Sequence, residues 1–369
     1  MFDLDSFSIQ QLKYKENQNL LRVINSYEVE GVFKIDSKGF KLVDFASNDY
    51  FGMSHNKVVL SKIQQSYSCL GSGSSRLISG SSKCYDSLES ALSNYHKMDN
   101  TLVFGSGYLV ALGFYKSFFD KNDLIITDKN IHACHIDGIK LSDATLKRFR
   151  HNDVVHLEKI LKTYRHQFQK CIIVSETLFS MHGDFAPIKE LSNLSQIFNC
   201  YVMFDDAHGF MLDHELYEIP RNNLIVMGTC SKALGSYGGY LSASQNICNF
   251  LQSDARSLIY STALPKIVIE GTLSVISELL SKSDEYQSKL RSNIEFFEKC
   301  FGLINERSPI KIIEFNSIGE LESKYRLLYE SGFLVSKIRP PTAETPRVRI
   351  SISSNHTKEM VESLVRLLK

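Results

Sequence analysis

Lys232 lies in the segment GTCSKALGSYGGY (228–240), among small residues and just after the apolar run NLIVM. An amine at a strand end, surrounded by glycine, can approach a flat ligand closely and bond reversibly to a carbonyl carbon. On its own such a lysine is more often a surface charge in a loop. A second segment, CYVMFDDAHG (200–209), is strand-like and ends in Asp205, Asp206 and His208. Carboxylates at the C-terminal end of a parallel strand stand where α/β folds place ligands. A pair of aspartates also suits a metal site or a helix cap. A third segment, FGSGYLVALGFY (104–115), reads as strand, glycine turn and helix start. Backbone N–H groups at a helix N-terminus hold a phosphate without any basic side chain, although most such turns bind nothing.

Taken together, a phosphate turn, an acid and a lysine in that order fit the pocket of a pyridine cofactor. One carboxylate would keep the ring nitrogen protonated and make the ring an electron sink, which is the demand of pyridoxal phosphate (PLP) chemistry.

The elements needed to position these residues are visible in the pattern of apolar runs. Strand-length runs recur at 101–104, 124–127, 171–175, 201–204 and 224–228, separated by helical segments such as 154–165 and 187–198. Short buried runs alternating with helices predict a mostly parallel sheet covered on both faces. A helix is expected over 5–25, short strands at 32–35 and 41–45, and one long helix over 265–300. Beyond Pro309 a β-rich pattern with helices (310–315, 332–338, 347–353) predicts a smaller α+β domain. The division expected is 1–45 for an N-terminal helix and strands, 46–265 for a large α/β domain, and 266–369 for the linking helix and small domain.

Composition narrows the class. The chain has 369 residues, 43% hydrophobic and 22% charged, with 42 basic against 41 acidic side chains and a net charge of +1. That length suggests about two domains. The charge balance gives no reason to expect nucleic acid or an anionic membrane surface. No basic-then-apolar leader opens the sequence, and no run reaches the roughly 18 apolar residues of a membrane span. Eight cysteines are scattered without any C-x-x-C pair, so neither a metal framework nor a redox motif is expected. These features predict a cytoplasmic protein with reduced thiols.

The blocks SNDYFGMSHN (47–56), GSGSSRLISG (71–80), SETLFSMHGDFAPI (175–188), FDDAHG, SKALGSYGG, IYSTALP (259–265) and RPPT (339–342) follow one another along nearly the whole chain. In kind and order they resemble the α-oxoamine synthases, a branch of the fold-type I PLP enzymes. The resemblance implies a large, mostly parallel seven-stranded sheet domain with helices on both faces plus a small C-terminal α+β domain, and a homodimer with shared active sites. It implies that Lys232 carries the cofactor as a Schiff base and later moves protons at the substrate Cα. Asp205 would pair with the pyridine nitrogen, and His208 and Ser180 would lie near the phenolic oxygen. His132, in DKNIHACH, would stack on the ring, and His135 would be structural. Gly107, Tyr108 and Leu109 would form the phosphate turn with Thr229, and Thr262 would reach the phosphate of the neighbouring subunit. Glu176 and Asn48 match polar pocket residues. Arg349, rather than Arg347 on the same strand face, would grip the amino-acid carboxylate, and Arg22 would lie near the acyl substrate. No metal is expected.

Within the branch, IYSTALP and IRPPT most resemble members that join L-alanine to a pimeloyl thioester, on CoA or acyl carrier protein, with release of CO2. Glycine C-acetyltransferase-like or serine palmitoyltransferase-like chemistry is the alternative, and a non-catalytic PLP-fold binding protein is the alternative of another class. Three departures stand out. The usual glycine two residues past HG is absent, the 209–223 hairpin is trimmed, and the expected Val-Pro-x-Gly turn does not follow RPPT. His182, before Gly183, replaces a residue that is usually acidic or small.

Overall fold

The computed structural model describes residues 3–64, 70–303 and 307–369. The chain divides into two units, Asn48–Arg291 on one side and Met1–Ser47 with Ser292–Lys369 on the other. The N-terminal strands thus share a unit with the C-terminal ones.

The unit Asn48–Arg291 is built on a seven-stranded sheet. Its spatial order is Asn100–Phe104, Gly239–Ala243, Leu224–Thr229, Tyr201–Asp205, Cys171–Glu176, Leu124–Asp128, Thr145–Phe149. Gly239–Ala243 runs antiparallel to both neighbours, and the pairs from Leu224–Thr229 to Thr145–Phe149 are parallel. Alternate residues of the central strands feed two separate cores. Ile172, Val174, Met203 and Ile225 pack in one, and Ile173, Val202, Phe204 and Val226 in the other. This two-sided burial is why these strands read as continuous apolar runs rather than as alternating ones. The C-terminal ends of the strands carry Asp128, Glu176, Asp205 and Thr229 to one edge of the sheet.

Gly239 and Gly228 are required by close approach. A Cβ on Gly239 would come within 2.2 Å of the Gly107 nitrogen, and one on Gly228 within 2.3 Å of the Tyr240 ring.

The expected long helix at 265–300 is two helices, Lys266–Ser281 and Ser283–Phe301, broken at Lys282. Asp284 and Glu285 fall in the first turn of the second, where acidic side chains favour a helix start. The expected N-terminal helix ends early, at Asn17, because Asn19 turns left-handed (φ 54°).

The other unit holds a four-stranded sheet (Tyr27–Glu30, Phe33–Asp36, Lys41–Asp44, Phe333–Leu334) and a three-stranded one (Ile310–Glu314, Arg347–Ser351, Ser336–Ile338). No helix among the described residues is long and apolar enough to cross a membrane. None of the described cysteines is disulfide-bonded, and Cys69 lies outside the described residues.

Candidate active site

At the C-terminal edge of the seven-stranded sheet is a cavity of about 220 Å³. Gly107, Tyr108, His132, Glu176, Asp205, His208, Thr229 and Lys232 all line it, as do Cys134 and Tyr237. The fold therefore gathers most of the expected site residues at one place.

Lys232 sits in the connection between Leu224–Thr229 and its antiparallel neighbour. That connection is closed by backbone bonds from Cys230 N to Gly238 O (2.9 Å), Gly235 N to Lys232 O (2.8 Å) and Ser236 N to Cys230 O (2.8 Å). Gly235 has φ 54°, and a Cβ there would lie 2.3 Å from Ser54 N, so the turn needs glycine. Thr229 Oγ1 is held against Gly238 O (2.8 Å) and Ser231 Oγ (2.8 Å). Opposite, Ser106 caps the helix Gly107–Phe118 by accepting from Leu109 N at 3.3 Å. Gly239 lets the Lys232 hairpin lie directly against this helix start.

Two carboxylates stand side by side. Glu176 and Asp205 are register partners in neighbouring parallel strands, and both are buried. Asp205 Oδ1 accepts from Ala207 N (3.0 Å) and Oδ2 from His135 Nε2 (3.0 Å). Burial works against its ionisation, but the His135 hydrogen bond and the His135 and Lys232 charges prevail and hold its carboxyl below the ordinary range. Burial and the Asp205 charge push the Glu176 carboxyl well up, against Lys232 and the Ser180 amide. Glu176 Oε2 accepts from Ser180 N (3.2 Å), while its buried Oε1 has no hydrogen-bond partner among the described residues. Neighbouring acids driven to opposite protonation states are an arrangement typical of acid–base sites.

His132 is the N-cap of the helix Ala133–Ser142, and its Nδ1 accepts from Cys134 N at 3.3 Å. Burial, aided by the Lys232 and His135 charges, lowers its pKa, so the ring is neutral and free to lie flat against another π-system. His208 Nδ1 lies 2.6 Å from the Tyr50 hydroxyl, and His135 Nδ1 lies 2.8 Å from that of Tyr115.

These contacts bring to the site residues the sequence did not point to. His135, expected to be structural, is the group bonded to Asp205, and Tyr50 and Tyr115 back the two histidines. Their only sequence signal is position: Tyr50 lies inside SNDYFG, and His135 follows His132 by one helical turn.

Leu109, Asn48, Ser180 and Thr262 are not in the cavity lining. Thr262 is exposed and bridges Ser75. Arg349 and Arg22 belong to the other unit. There Arg349 is buried in the strand Arg347–Ser351 and donates to Ser351 Oγ (3.0 Å), and Arg22 donates to Thr342 Oγ1 (2.9 Å). Arg347, on the same strand face, pairs instead with Glu314 (2.7 Å). The missing glycine past HG is Met211, which adopts φ 60° all the same, with its N–H donating to the Tyr95 hydroxyl (2.8 Å) and its carbonyl accepting from Gln287 (3.1 Å).

The residues present fit PLP. An ionised acid stands ready for a pyridinium, a protonated one has an open oxygen, a neutral imidazole lines one wall, and a helix N-terminus faces the lysine turn. Residues 41–368 match the model of the aminotransferase class I and II family. The chain is 33% identical to an 8-amino-7-oxononanoate synthase from Beijerinckia indica, over 97% of this chain and 95% of that protein. A serine palmitoyltransferase from S. paucimobilis, solved with bound PLP, superimposes with a TM-score of 0.89 at 22% identity, covering 100% of this chain and 98% of that one. An 8-amino-7-oxononanoate synthase from Francisella tularensis gives 0.74 at 26% identity, covering 89% and 96%. The chain belongs to the aminotransferase class I and II family and, within it, is an α-oxoamine synthase similar to 8-amino-7-oxononanoate synthases, with the fold-type I architecture and pyridoxal phosphate as its cofactor.

Proposed function

We propose that this enzyme condenses L-alanine with a pimeloyl thioester, on CoA or acyl carrier protein, to give 8-amino-7-oxononanoate, CO2 and free thiol, a step of biotin biosynthesis. The observation that carries this is the convergence of Lys232, the ionised Asp205 and the neutral His132 on one cavity, in a chain matched over its length by relatives of that name. PLP, when bound, supplies an electron sink for negative charge at the substrate Cα.

The chain's own residues do the rest. Lys232 would hold the cofactor through its amine and would move the proton at the substrate Cα. Asp205 keeps the pyridine nitrogen protonated. His132 covers one ring face, and His208, with Ser180 nearby, serves the phenolic oxygen. Amides of Gly107, Tyr108 and Leu109 hold the phosphate with Thr229 and with Thr262 of the partner subunit. Glu176 and Asn48 supply polar contacts beside the ring and substrate. Arg349 binds the amino-acid carboxylate through a two-point contact suited to guanidinium, and Arg22 lies toward the acyl group. Holding both reactants together removes much of the entropic part of the barrier.

The test is an assay of purified protein with L-alanine and each pimeloyl thioester, following CO2 and thiol. Borohydride should trap PLP on Lys232 and leave Lys232→Ala unlabelled. Turnover with L-serine and palmitoyl-CoA, but none with L-alanine, would overturn the substrate assignment while leaving the cofactor role intact.

A further inference from the structure

One arrangement, a buried tyrosine hydroxyl on a histidine Nδ1, occurs twice around the cavity. Behind Asp205, the Tyr115 hydroxyl lies 2.8 Å from His135 Nδ1, and His135 Nε2 lies 3.0 Å from Asp205 Oδ2. At another part of the wall, the Tyr50 hydroxyl lies 2.6 Å from His208 Nδ1, and His208 lines the cavity. Both tyrosines are completely buried, and the two histidines are 0% and 4% exposed.

An imidazole with a single proton has one donor and one acceptor nitrogen, and its neighbours decide which is which. At the first pair the carboxylate sets the Nε2 side. The ionised Asp205 accepts only, so His135 donates from Nε2. Where His135 carries a single proton, its lone pair then falls on Nδ1, and the hydroxyl facing it donates. Burial, with the Cys134 and Asp205 charges, raises Tyr115 well above the ordinary phenol range, so it keeps the proton it must donate.

We infer that Tyr50 is a positioning residue that fixes His208 with its proton on Nε2, so that His208 donates a hydrogen bond to the phenolic oxygen of PLP, just as Tyr115 fixes His135 toward Asp205. The inference rests on the reading that PLP is held on Lys232. A donor at the phenolic oxygen makes that oxygen a weaker base and competes for the proton it shares with the lysine nitrogen. Removing the Tyr50 hydroxyl removes its bias toward the Nε2 proton and weakens the donor.

The experiment uses full-length protein loaded with PLP, its visible absorbance followed against pH. Tyr50→Phe is expected to raise the midpoint of the absorbance change by about one pH unit, the order of shift that one hydrogen bond to the charged form produces. A merely structural tyrosine would alter melting but leave that midpoint in place, so a midpoint equal to wild type overturns the inference. Should the variant fail to fold or to take up PLP, the loaded wild type, isotope-labelled at histidine nitrogens, decides by NMR. His208 is expected to be unprotonated at Nδ1 and protonated at Nε2, and the reverse tautomer or an imidazolium overturns the inference. If wild type develops no visible band at all, the cofactor reading fails, and this inference with it.

Discussion

Asp205 and Glu176 differ by one methylene and occupy equivalent places on adjacent strands, yet the fold holds one ionised and the other protonated. The difference lies in their partners. Asp205 has an imidazole N–H and a backbone N–H, whereas Glu176 is buried beside the Asp205 charge with only backbone amides and the Lys232 charge to offset it. A neutral isostere should therefore be harmless at one position and ruinous at the other. Asp205→Asn removes the charge that meets a pyridinium, and truncating such a buried charge pair costs at least about 2–5 kcal/mol, or roughly 100-fold in PLP affinity. Glu176→Gln replaces an acid that is already protonated and should change PLP affinity by less than about threefold. A pH consequence follows with a definite sign. The folded-state pKa of Glu176 is raised, so the folded apoprotein holds this proton more tightly than the unfolded chain. The stability this contributes is complete below the ordinary glutamate range and is lost as pH rises through the raised value. Glu176→Gln should flatten the alkaline fall in stability. Equilibrium dialysis of PLP and urea unfolding across pH test both statements, and equal PLP losses in the two variants would contradict the charge assignment.

The segments that carry these side chains are tied together by His151. Its Nδ1 bonds Asp128 Oδ1 (3.0 Å), at the end of the strand that leads to His132, and its Nε2 bonds Asp184 Oδ2 (2.8 Å), in the loop that follows Glu176 and carries Ser180. Asn152 reinforces the link to Asp184 (2.9 Å), and His182, the residue that departs from the family pattern, lies 4.8 Å away ring to ring. Burial alone would lower the pKa of His151, but the hydrogen bonds to the two aspartates raise it to about 9. The raised value means that the stabilisation is complete below 6.5 and lost as pH climbs through about 9. His151→Gln should therefore melt a few degrees below wild type at neutral pH, with the gap closing in alkaline buffer. A gap that stays constant with pH would show that the imidazolium does not link these segments. The same scale shows what could be read from sequence. Central strands were legible because burial on both faces fills them with apolar residues. Thr145–Phe149 was not, since it is an edge strand carrying Lys147 and Arg148, and Gly239–Ala243 was not, since it is small-residue-rich and antiparallel. Lys232, Asp205 and His132 were legible because they belong to recognisable blocks at strand ends or a helix start. Tyr50, Tyr115 and His135 were not, because their roles exist only through contacts between segments 20 to 158 residues apart.

At the scale of the whole molecule, Thr262 bears on whether one chain makes a complete site. Thr262 stands in an exposed stretch, beside Tyr260 at 72% exposure, and is bridged to Ser75 in a segment that also exposes Leu70 (96%), Leu77 and Ile78. Ser72 Oγ donates to Ala263 O (2.8 Å), so 70–80 and 259–263 form one surface. Large exposed apolar side chains are what association buries, and a two-fold contact between identical chains is the commonest arrangement. If a second copy covers it, Thr262 is delivered to the phosphate of that copy and not to its own. Thr262→Ala should then weaken PLP retention in the pure variant. A hybrid of a Lys232→Ala chain with a Thr262→Ala chain separates the possibilities. With Thr262 acting across the interface, the site holding the intact Lys232 receives an intact Thr262 from its neighbour, so each hybrid dimer should trap one PLP with wild-type affinity. With Thr262 acting within its own chain, that same site lacks the hydroxyl and should show the weakened affinity of the single variant. Tagged hybrids isolated in two steps and titrated with PLP before borohydride reduction distinguish the two outcomes, and retention by Thr262→Ala equal to wild type would remove Thr262 from the phosphate site altogether.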